Sequence, residues 1–467
     1  MGKTNANYLV AEANIWNAMR NNASIDYKRL VPSATPENIL QAKQSAGDVF
    51  MQWPGLKSEF YKLFQQVSAT FFENYSWDNP FKIFDKGYIA EGGLIQKAFV
   101  EPAKSFDFDI DRESKVLYAI NKPDIKFQIA TRNFKRQYKV TFSDLQATLI
   151  ANATGIADML RACVDSLYTK KSIEEYQMIL YMIGRAIVDG RFYVDSVSNV
   201  DLKATIAKIR ETSLDFSYPD TKLNIAGVTT ATRQENKAVL ISNHFDATSS
   251  VDVLAYAFNL EKQDFLARKI NYKGFKDINQ DVIREIFTHT NADGTKVIDP
   301  FYRPFTSEEL AALNTVDAVY MDKNLIQNWH HNTALYTVVN EPGEYVDYTL
   351  NTWQSFFIDI FAQAVVFAPV TPAVESVTLS PVTTEQAPAI ISKYKYSQLN
   401  FTALVTTSGF APKAVAWDLS GADADKFTID ASGNLTLIDE TATGVTVTCT
   451  SVFDSTKTAT AYVSVAQ

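Results

Sequence analysis

The longest helical pattern in the chain runs over residues 145–190. Ile156, Met159, Leu160, Cys163, Val164 and Leu167 recur at helical spacing, with Ala157, Asp158, Arg161 and Asp165 between them, which makes one amphipathic face. Lys170-Lys171-Ser172 interrupts it. Ser172 reads as an N-cap, and Glu174 and Glu175 fall in a first turn where carboxylates suit the helix dipole. A second stripe follows in Ile173, Tyr176, Ile179, Leu180, Ile183 and Ile187, widened by Met178, Tyr181 and Met182 until little of it could face water. Gly190 is a natural stop. Such a helix needs partners on more than one side, as a core helix of a large domain or as a spine carrying sheets and loops on its flanks.

Residues 1–80 read as helix and loop, whereas residues 81–142 shift to extended patterns. Phe106-Asp107-Phe108-Asp109-Ile110-Asp111 alternates strictly, placing the apolar residues on one face and Asp107, Asp109 and Asp111 on the other. Residues 111–123 are polar and turn-like. Residues 125–140 are extended again and carry Lys126, Arg132, Lys135, Arg136 and Lys139 with no acid among them. An acidic arm and a basic arm joined by a polar tip predict a long two-stranded hairpin. A lone hairpin is unstable in water, so one this long is expected to lie on something else, often a neighbouring subunit.

Beyond the helix, residues 195–330 read as α/β. Helices are expected at 202–209 and 251–265, with a buried strand at 238–241 followed by a loop carrying His244 and Asp246. Strands are expected at 336–339, 345–350 and 364–367, with 353–361 a strand or helix. The two prolines of residues 368–373 mark a linker. After it the composition turns to Thr, Val and Ser. Seven short alternating stretches, such as Val415/Trp417/Leu419 and Val445/Val447/Cys449, with a turn at Asp430-Ala431-Ser432-Gly433-Asn434, describe a small β-sandwich.

At 467 residues the chain is too long for one ordinary core, which points to two or three domains. The aromatic content, 30 Phe and 22 Tyr, suits cores or subunit contacts. A net charge of −9 argues against non-specific nucleic-acid binding by the surface as a whole. Cys163 and Cys449 form no disulfide framework, and the N-terminus carries no signal-peptide pattern, so folding in the cytoplasm is expected. The best apolar run, residues 356–370, is too short and polar to span a bilayer, and no membrane partner is expected.

Motifs for phosphate loops, dinucleotide turns, nucleophile elbows and metal pairs are missing, so no cofactor, catalytic residue or metal ligand is assigned. His330-His331 is a tempting metal pair, but adjacent side chains on a regular element point apart. His244 with Asp246 fits an acid–base pair or ordinary loop residues. Asp107, Asp109 and Asp111 could gather a cation or meet a basic neighbour. The basic arm could touch DNA or pair with acids of its own or an adjacent chain. All eight charged arm residues are candidate inter-subunit contacts.

Residues 252–266 supply a resemblance. Asp252-Val253-Leu254-Ala255, Ala257-Phe258-Asn259 and Asp264-Phe265-Leu266 resemble the major capsid protein of small short-tailed phages (podoviruses) of the phi-twenty-nine type. Asn79-Pro80-Phe81-Lys82 with Lys86-Gly87, Glu174-Glu175-Tyr176, and Trp353-Gln354 followed by Phe361-Ala362 and Ala364-Val365 fall in the same order. The tail resembles a bacterial immunoglobulin-like domain of group 2, through Ser376-Val377-Thr378-Leu379-Ser380-Pro381, Val415-Ala416-Trp417 and Val445-Thr446-Val447-Thr448. The resemblance implies an α+β fold of the HK-ninety-seven type plus a C-terminal all-β Ig-like sandwich. Mapped onto the chain, residues 1–80 become an N-terminal arm, 81–142 an extended loop on a neighbour, and 143–195 the spine helix. Residues 196–330 become an axial domain, 331–370 peripheral-domain strands and 374–467 the Ig-like domain outside the shell. Residues 285–316 fit the family pattern poorly, as an insertion would.

The resemblance implies a shell subunit of a double-stranded DNA phage head, located in the virion and assembling into pentamers and hexamers. Implied partners are other copies, a scaffolding protein, a portal, packaged DNA on the inner face, and head fibres or the host surface through the Ig-like domain. Two other readings stay open: a tail or surface-adhesion protein whose sandwich binds carbohydrate, and a hydrolase built on His244 and Asp246.

Overall fold

The computed structural model describes residues 77–103, 125–130, 133–143, 153–198, 202–252, 267–291, 293–340 and 345–466, with scattered positions between 17 and 45. Contacts group the chain into two units. One holds Met1–Trp77, Gln137–Lys171 and Ala334–Asn351; the other holds Asp78–Arg136, Ser172–Thr333 and Thr352–Gln467.

The helical pattern becomes one uninterrupted helix, α1 (Ala153–Val188, 36 residues). The break expected at Lys170-Lys171-Ser172 does not occur. Nothing there breaks a helix: lysine is a good former, and a serine inside a helix costs only a few tenths of a kcal/mol. Glu174 is therefore no first-turn residue. It is buried and pairs with Arg136. Gly190 ends the helix as expected. It sits at φ +65°, its N–H donates to Ile187 O, and Arg191 N–H donates to Ala186 O, the paired bonds of a left-handed C-terminal cap.

In the second unit, α1 packs against residues 275–313, which overlap the stretch 285–316 expected as an insertion. Gly184 permits this: a Cβ there would lie 3.1 Å from the Phe305 ring and 3.4 Å from Leu313. Tyr181 meets Phe287, Tyr302 and Phe305, and its hydroxyl donates to Arg303 O. Arg185 bridges Asp189 and Glu309. The segment contains α4 (Gln280–Ile286), the hairpin β8–β9 (Thr288–Thr290, Lys296–Ile298) and α5 (Ser307–Leu313), which opens with a capping box between Thr306 and Glu309. Tyr181 thus packs on this segment, and Tyr176 stacks on Phe81 of the Pro80–Phe84 turn.

A five-stranded sheet forms the body of the same unit, in the order β5 (Tyr193–Ser196), β13 (Ala364–Ala368), β10 (Ala318–Asp322), β6 (Lys237–Ser242), β7 (Arg268–Tyr272). Its central strands are short apolar runs buried along their length, as strands covered on both faces must be. α2 (Leu202–Asp215) supplies Ile209 to the same core, where Phe216, just past its end, meets Tyr320 edge-on at 4.9 Å. Buried Lys237 sits at the C-terminal end of α2 and donates to Ser213 O and Ser217 Oγ, where a cation complements the helix dipole. α3 (Asn243–Asp252) begins where a loop was expected. Most of the helix expected at 251–265, and the family motifs in it, lie outside the described residues.

A four-stranded sheet has the order β1 (Asp85–Tyr88), β11 (Ile326–Asn340), β12 (Tyr345–Ile358), β4 (Asn133–Ser143). In the first unit, Tyr138, Leu167 and Leu350 form a small core. Asp347 there takes the Lys139 ammonium at 2.6 Å and the Thr141 hydroxyl, which hold its carboxyl below the usual range.

After Ala368 the chain is all β. Pairings are β14 (Ala373–Ser380) with β17 (Thr402–Ser408), the order β15 (Ala389–Ile391), β22 (Thr458–Val465), β21 (Gly444–Ser451), β18 (Val415–Ser420), and the order β16 (Gln398–Asn400), β20 (Asn434–Leu437), β19 (Phe427–Ile429). Phe401, Leu435, Leu437, Val447, Cys449 and Ala461 are fully buried in a common core. Leu399 and Ala403, two alternating positions apart on either side of Phe401, fall on different sheets. The chain switches at buried Phe401, whose N–H donates to Gly433 O.

Candidate functional site

The feature that stands out is a second hairpin strand pair, β2 (Ile95–Val100) with β3 (Ile125–Ala130), in register from Ile95↔Ala130 to Val100↔Ile125. The basic arm was expected to pair with residues 106–111. Its first half pairs with Ile95–Val100 instead, and its second half is β4, beside β12. Asp107, Asp109, Asp111 and Arg132 lie outside the described residues.

Alternation gives this ladder two faces. Lys97, Phe99, Lys126 and Gln128 turn to the body. Lys97 pairs with Asp359, whose side chain is 1% exposed. Gln128 donates to Ile358 O at 2.5 Å and accepts from Ile360 N–H at 3.1 Å. Phe99 stacks on Phe361, and the Lys126 ammonium donates to Ala226 O. The opposite face carries Gln96, Ala98, Val100, Ile125, Phe127 and Ile129, and Val100, Phe127 and Ile129 are each more than half exposed. On β3 the usual arrangement is inverted: polar Lys126 and Gln128 turn inward and Ile125, Phe127 and Ile129 turn outward, where they adjoin Ala98 and Val100 of β2 in an exposed apolar face of the kind that interfaces cover. In the first unit, Leu335, Tyr336, Val338 and Val339 of β11 are also exposed.

The other arm residues are engaged within the chain. The Lys135 ammonium lies 4.0 Å from the centre of the Trp353 ring. Arg136 forks onto Glu174 with bonds of 3.1 and 3.2 Å and donates to Glu285 O. Lys139 pairs with Asp347. Of the alternatives for the basic arm, pairing with the chain's own groups therefore accounts for Lys135, Arg136 and Lys139. The outer apolar face went unnoticed in the sequence, although the alternation of Gln96, Ala98 and Val100 with Lys97 and Phe99 carries its signal.

His330 and His331 point apart. His330 Nε2 meets Asp85 at 3.0 Å, while His331 bonds Ala90 O and the Ser355 hydroxyl and stacks on Trp353. Asp246 faces Lys269 and Asn271. Met178, Tyr181 and Met182 border an open cleft of about 450 Å³ with Phe134, Phe287 and Phe356. No helix among the described residues is long and apolar enough to cross a membrane.

The mixed α/β arrangement is a tailed-phage capsid fold. A chain from the capsid structure of Staphylococcus phage Andhra aligns with a TM-score of 0.52 at 11% identity, covering 65% of this chain and 88% of that one. A chain from the structure of the head fiber and inner core protein of native bacteriophage P68 aligns at 0.50 with 12% identity, over 64% and 87%. The major capsid protein of Bacillus phage B103 is 25% identical over 93% of this chain and 89% of its own length. That of Bacillus phage PZA is 24% identical over 87% and 83%. Residues 16–368 match the Phi29-like phage major capsid protein family, and the chain belongs to it. It is a structural component of the virion capsid and not an enzyme, which removes the hydrolase reading.

Proposed function

We propose that the chain closes into pentamers and hexamers of a DNA-containing shell, icosahedral or prolate, and that the outer face of the β2–β3 hairpin is covered by a neighbouring copy. The exposed apolar face of the hairpin, with Val100, Phe127 and Ile129, carries this reading. Identical chains in rings meet through unlike surfaces, and an apolar arm reaching over a neighbour adds buried area to each such contact. In this assignment residues 1–80 are an N-terminal arm, 81–142 the extended loop and 143–195 the spine with part of the peripheral domain. Residues 196–330 form the axial domain and 331–370 the remaining peripheral strands. Asp107, Asp109 and Asp111 would face another subunit. Lys126, Arg132, Lys135, Arg136 and Lys139 would mainly hold the loop in place.

Residues 374–467 are read as a group 2 immunoglobulin-like domain on the outside of the shell, available to head fibres or the host surface. Two features support this: their strands enclose a core of their own, and the family match ends at residue 368. A scaffolding protein and a portal would direct assembly, with packaged DNA against the inner face. Negative-stain microscopy of the chain co-expressed with its scaffold tests the reading. Closed particles or five- and sixfold rings are expected, and a strict monomer at high concentration would overturn it.

A further inference from the structure

One cleft of the second unit gathers positive charge in a chain whose net charge is −9. Its volume is about 560 Å³, room for a few side chains. The capped end of α1 forms one wall through Gly190 and Arg191, residues 221–227 form another, and Pro412–Val415 with Val452 and Phe453 close it. The walls are fastened together: Lys413 N–H donates to Gly190 O, and a Cβ on Gly190 would lie 2.6 Å from Ala411 O. Arg191, Lys222 and Lys413 line the cleft and are exposed, and among the described residues none of the three cationic heads makes a salt bridge or hydrogen bond. Asp189 is the single carboxylate in the lining; it is shared by Arg185 and Arg303 and lies near enough to Arg191 to favour its charge. The floor is apolar, with Tyr193 and Phe453 rings 6.0 Å apart.

A fitting ligand is therefore anionic on one side and apolar on the other. The chain contains that pattern at Phe106-Asp107-Phe108-Asp109-Ile110-Asp111. The cations once expected to meet these aspartates, Lys135, Arg136 and Lys139, are engaged elsewhere. We propose that this cleft receives the acidic segment 106–111 of a second copy of the chain. The inference rests on the shell reading, in which the apolar hairpin face leading into that segment is itself covered by a neighbour. It adds a second contact of opposite character, electrostatic and salt-sensitive, and gives the C-terminal strands a part in joining subunits.

Charge reversal tests it in co-expression with scaffold. One variant carries Lys222→Glu and Lys413→Glu; the other carries Asp107→Lys and Asp109→Lys. Each alone is expected to keep the wild-type circular dichroism and melting curve while shell yield falls on the order of tenfold. Combining all four changes in one chain should restore shells. Mixing the two variant chains should restore sixfold rings, because the two can alternate around six positions so that each arm finds a cleft of opposite sign on another copy, whereas no such alternation closes a ring of five. A fourfold variant no better than either pair overturns the proposal. Shells from the fourfold chain beside a mixture with no more sixfold rings than either variant alone also overturn it, since the pairing would then lie within one chain. If a reversal unfolds the subunit, Lys222→Gln with Lys413→Gln serves instead, with a flatter salt dependence of assembly expected and an unchanged one overturning the idea. Wild-type particles from the same preparations report on the shell reading separately.

Discussion

Arg136 and Glu174 meet in a two-point ion pair, Nε to Oε2 at 3.1 Å and Nη2 to Oε1 at 3.2 Å, with the carboxylate almost wholly buried. The same guanidinium donates to Glu285 O at 2.8 Å, so one side chain ties β4, the middle of α1 and the end of α4 together. Arg136→Ala would remove the guanidinium that is bound to the buried Glu174 carboxylate at two points. The expected loss is about 3–5 kcal/mol, read as a lower denaturation midpoint. Arg136→Met with Glu174→Leu should recover most of that loss, because neither charge is then stranded. A double variant as unstable as Arg136→Ala would show that the pair is not the cause.

The outer hairpin face separates assembly from folding. Phe127→Ser with Ile129→Thr removes apolar surface that is already exposed, so the melting curve of the free subunit should move by no more than about 0.5 kcal/mol. Particle yield should collapse. Lys97→Ala should behave in the opposite sense. It leaves the Asp359 carboxylate buried beside a missing ammonium and is expected to cost about 1–3 kcal/mol in the subunit itself, with faster amide exchange in β2 and β3. Full yields from the double hairpin variant would remove that face from the interface.

What could be read in the sequence depended on which side of each element faced water. The C-terminal strands were legible because one face is buried and one is wet, so Val445, Val447 and Cys449 stand out against their threonines. β2 does not stand out in the sequence because neither of its faces is uniform: Ile95 and Phe99 turn inward with Lys97, while Ala98 and Val100 turn outward with Gln96. With β2 unseen, the basic arm was paired with the next alternating stretch, residues 106–111. The false break in α1 came from treating Lys170-Lys171-Ser172 as a boundary where only the stripe faded. Gly190 was readable because a left-handed cap leaves few alternatives. The cationic cleft could not be read at all, since Arg191, Lys222 and Lys413 come together only through the fold.

Asp317 gives a pH dependence with a definite sign. Burial pushes its carboxyl up to about 6, with His244 nearby acting the other way. The folded protein therefore keeps a proton that the unfolded chain releases near pH 4. Stability from this group is highest below pH 4, falls as pH rises from about 4 to about 6, and stays reduced above that. Asp317→Asn should raise the melting temperature at pH 8 and make little difference at pH 4. Melting curves at the two pH values check this, and an equal shift at both would contradict it.

Gly190 links the end of α1 to the C-terminal strands. Its φ of +65° is left-handed, where an L side chain costs roughly 1 kcal/mol, and an added Cβ would press against Ala411 O at 2.6 Å. Gly190→Ala is thus expected to weaken both the helix cap and the Lys413 N–H to Gly190 O bond beside it. Backbone on both sides of the clash can yield only by moving residues 411–413 off the helix end. The predicted result is a drop of about 2 kcal/mol in subunit stability, together with faster proteolytic release of a fragment cut within residues 369–372. Gly190→Asn, which tolerates the left-handed region but keeps the steric clash, should restore little. If Gly190→Asn instead recovered wild-type protease resistance, strain in φ alone would be at work, and the approach of Ala411 would not matter.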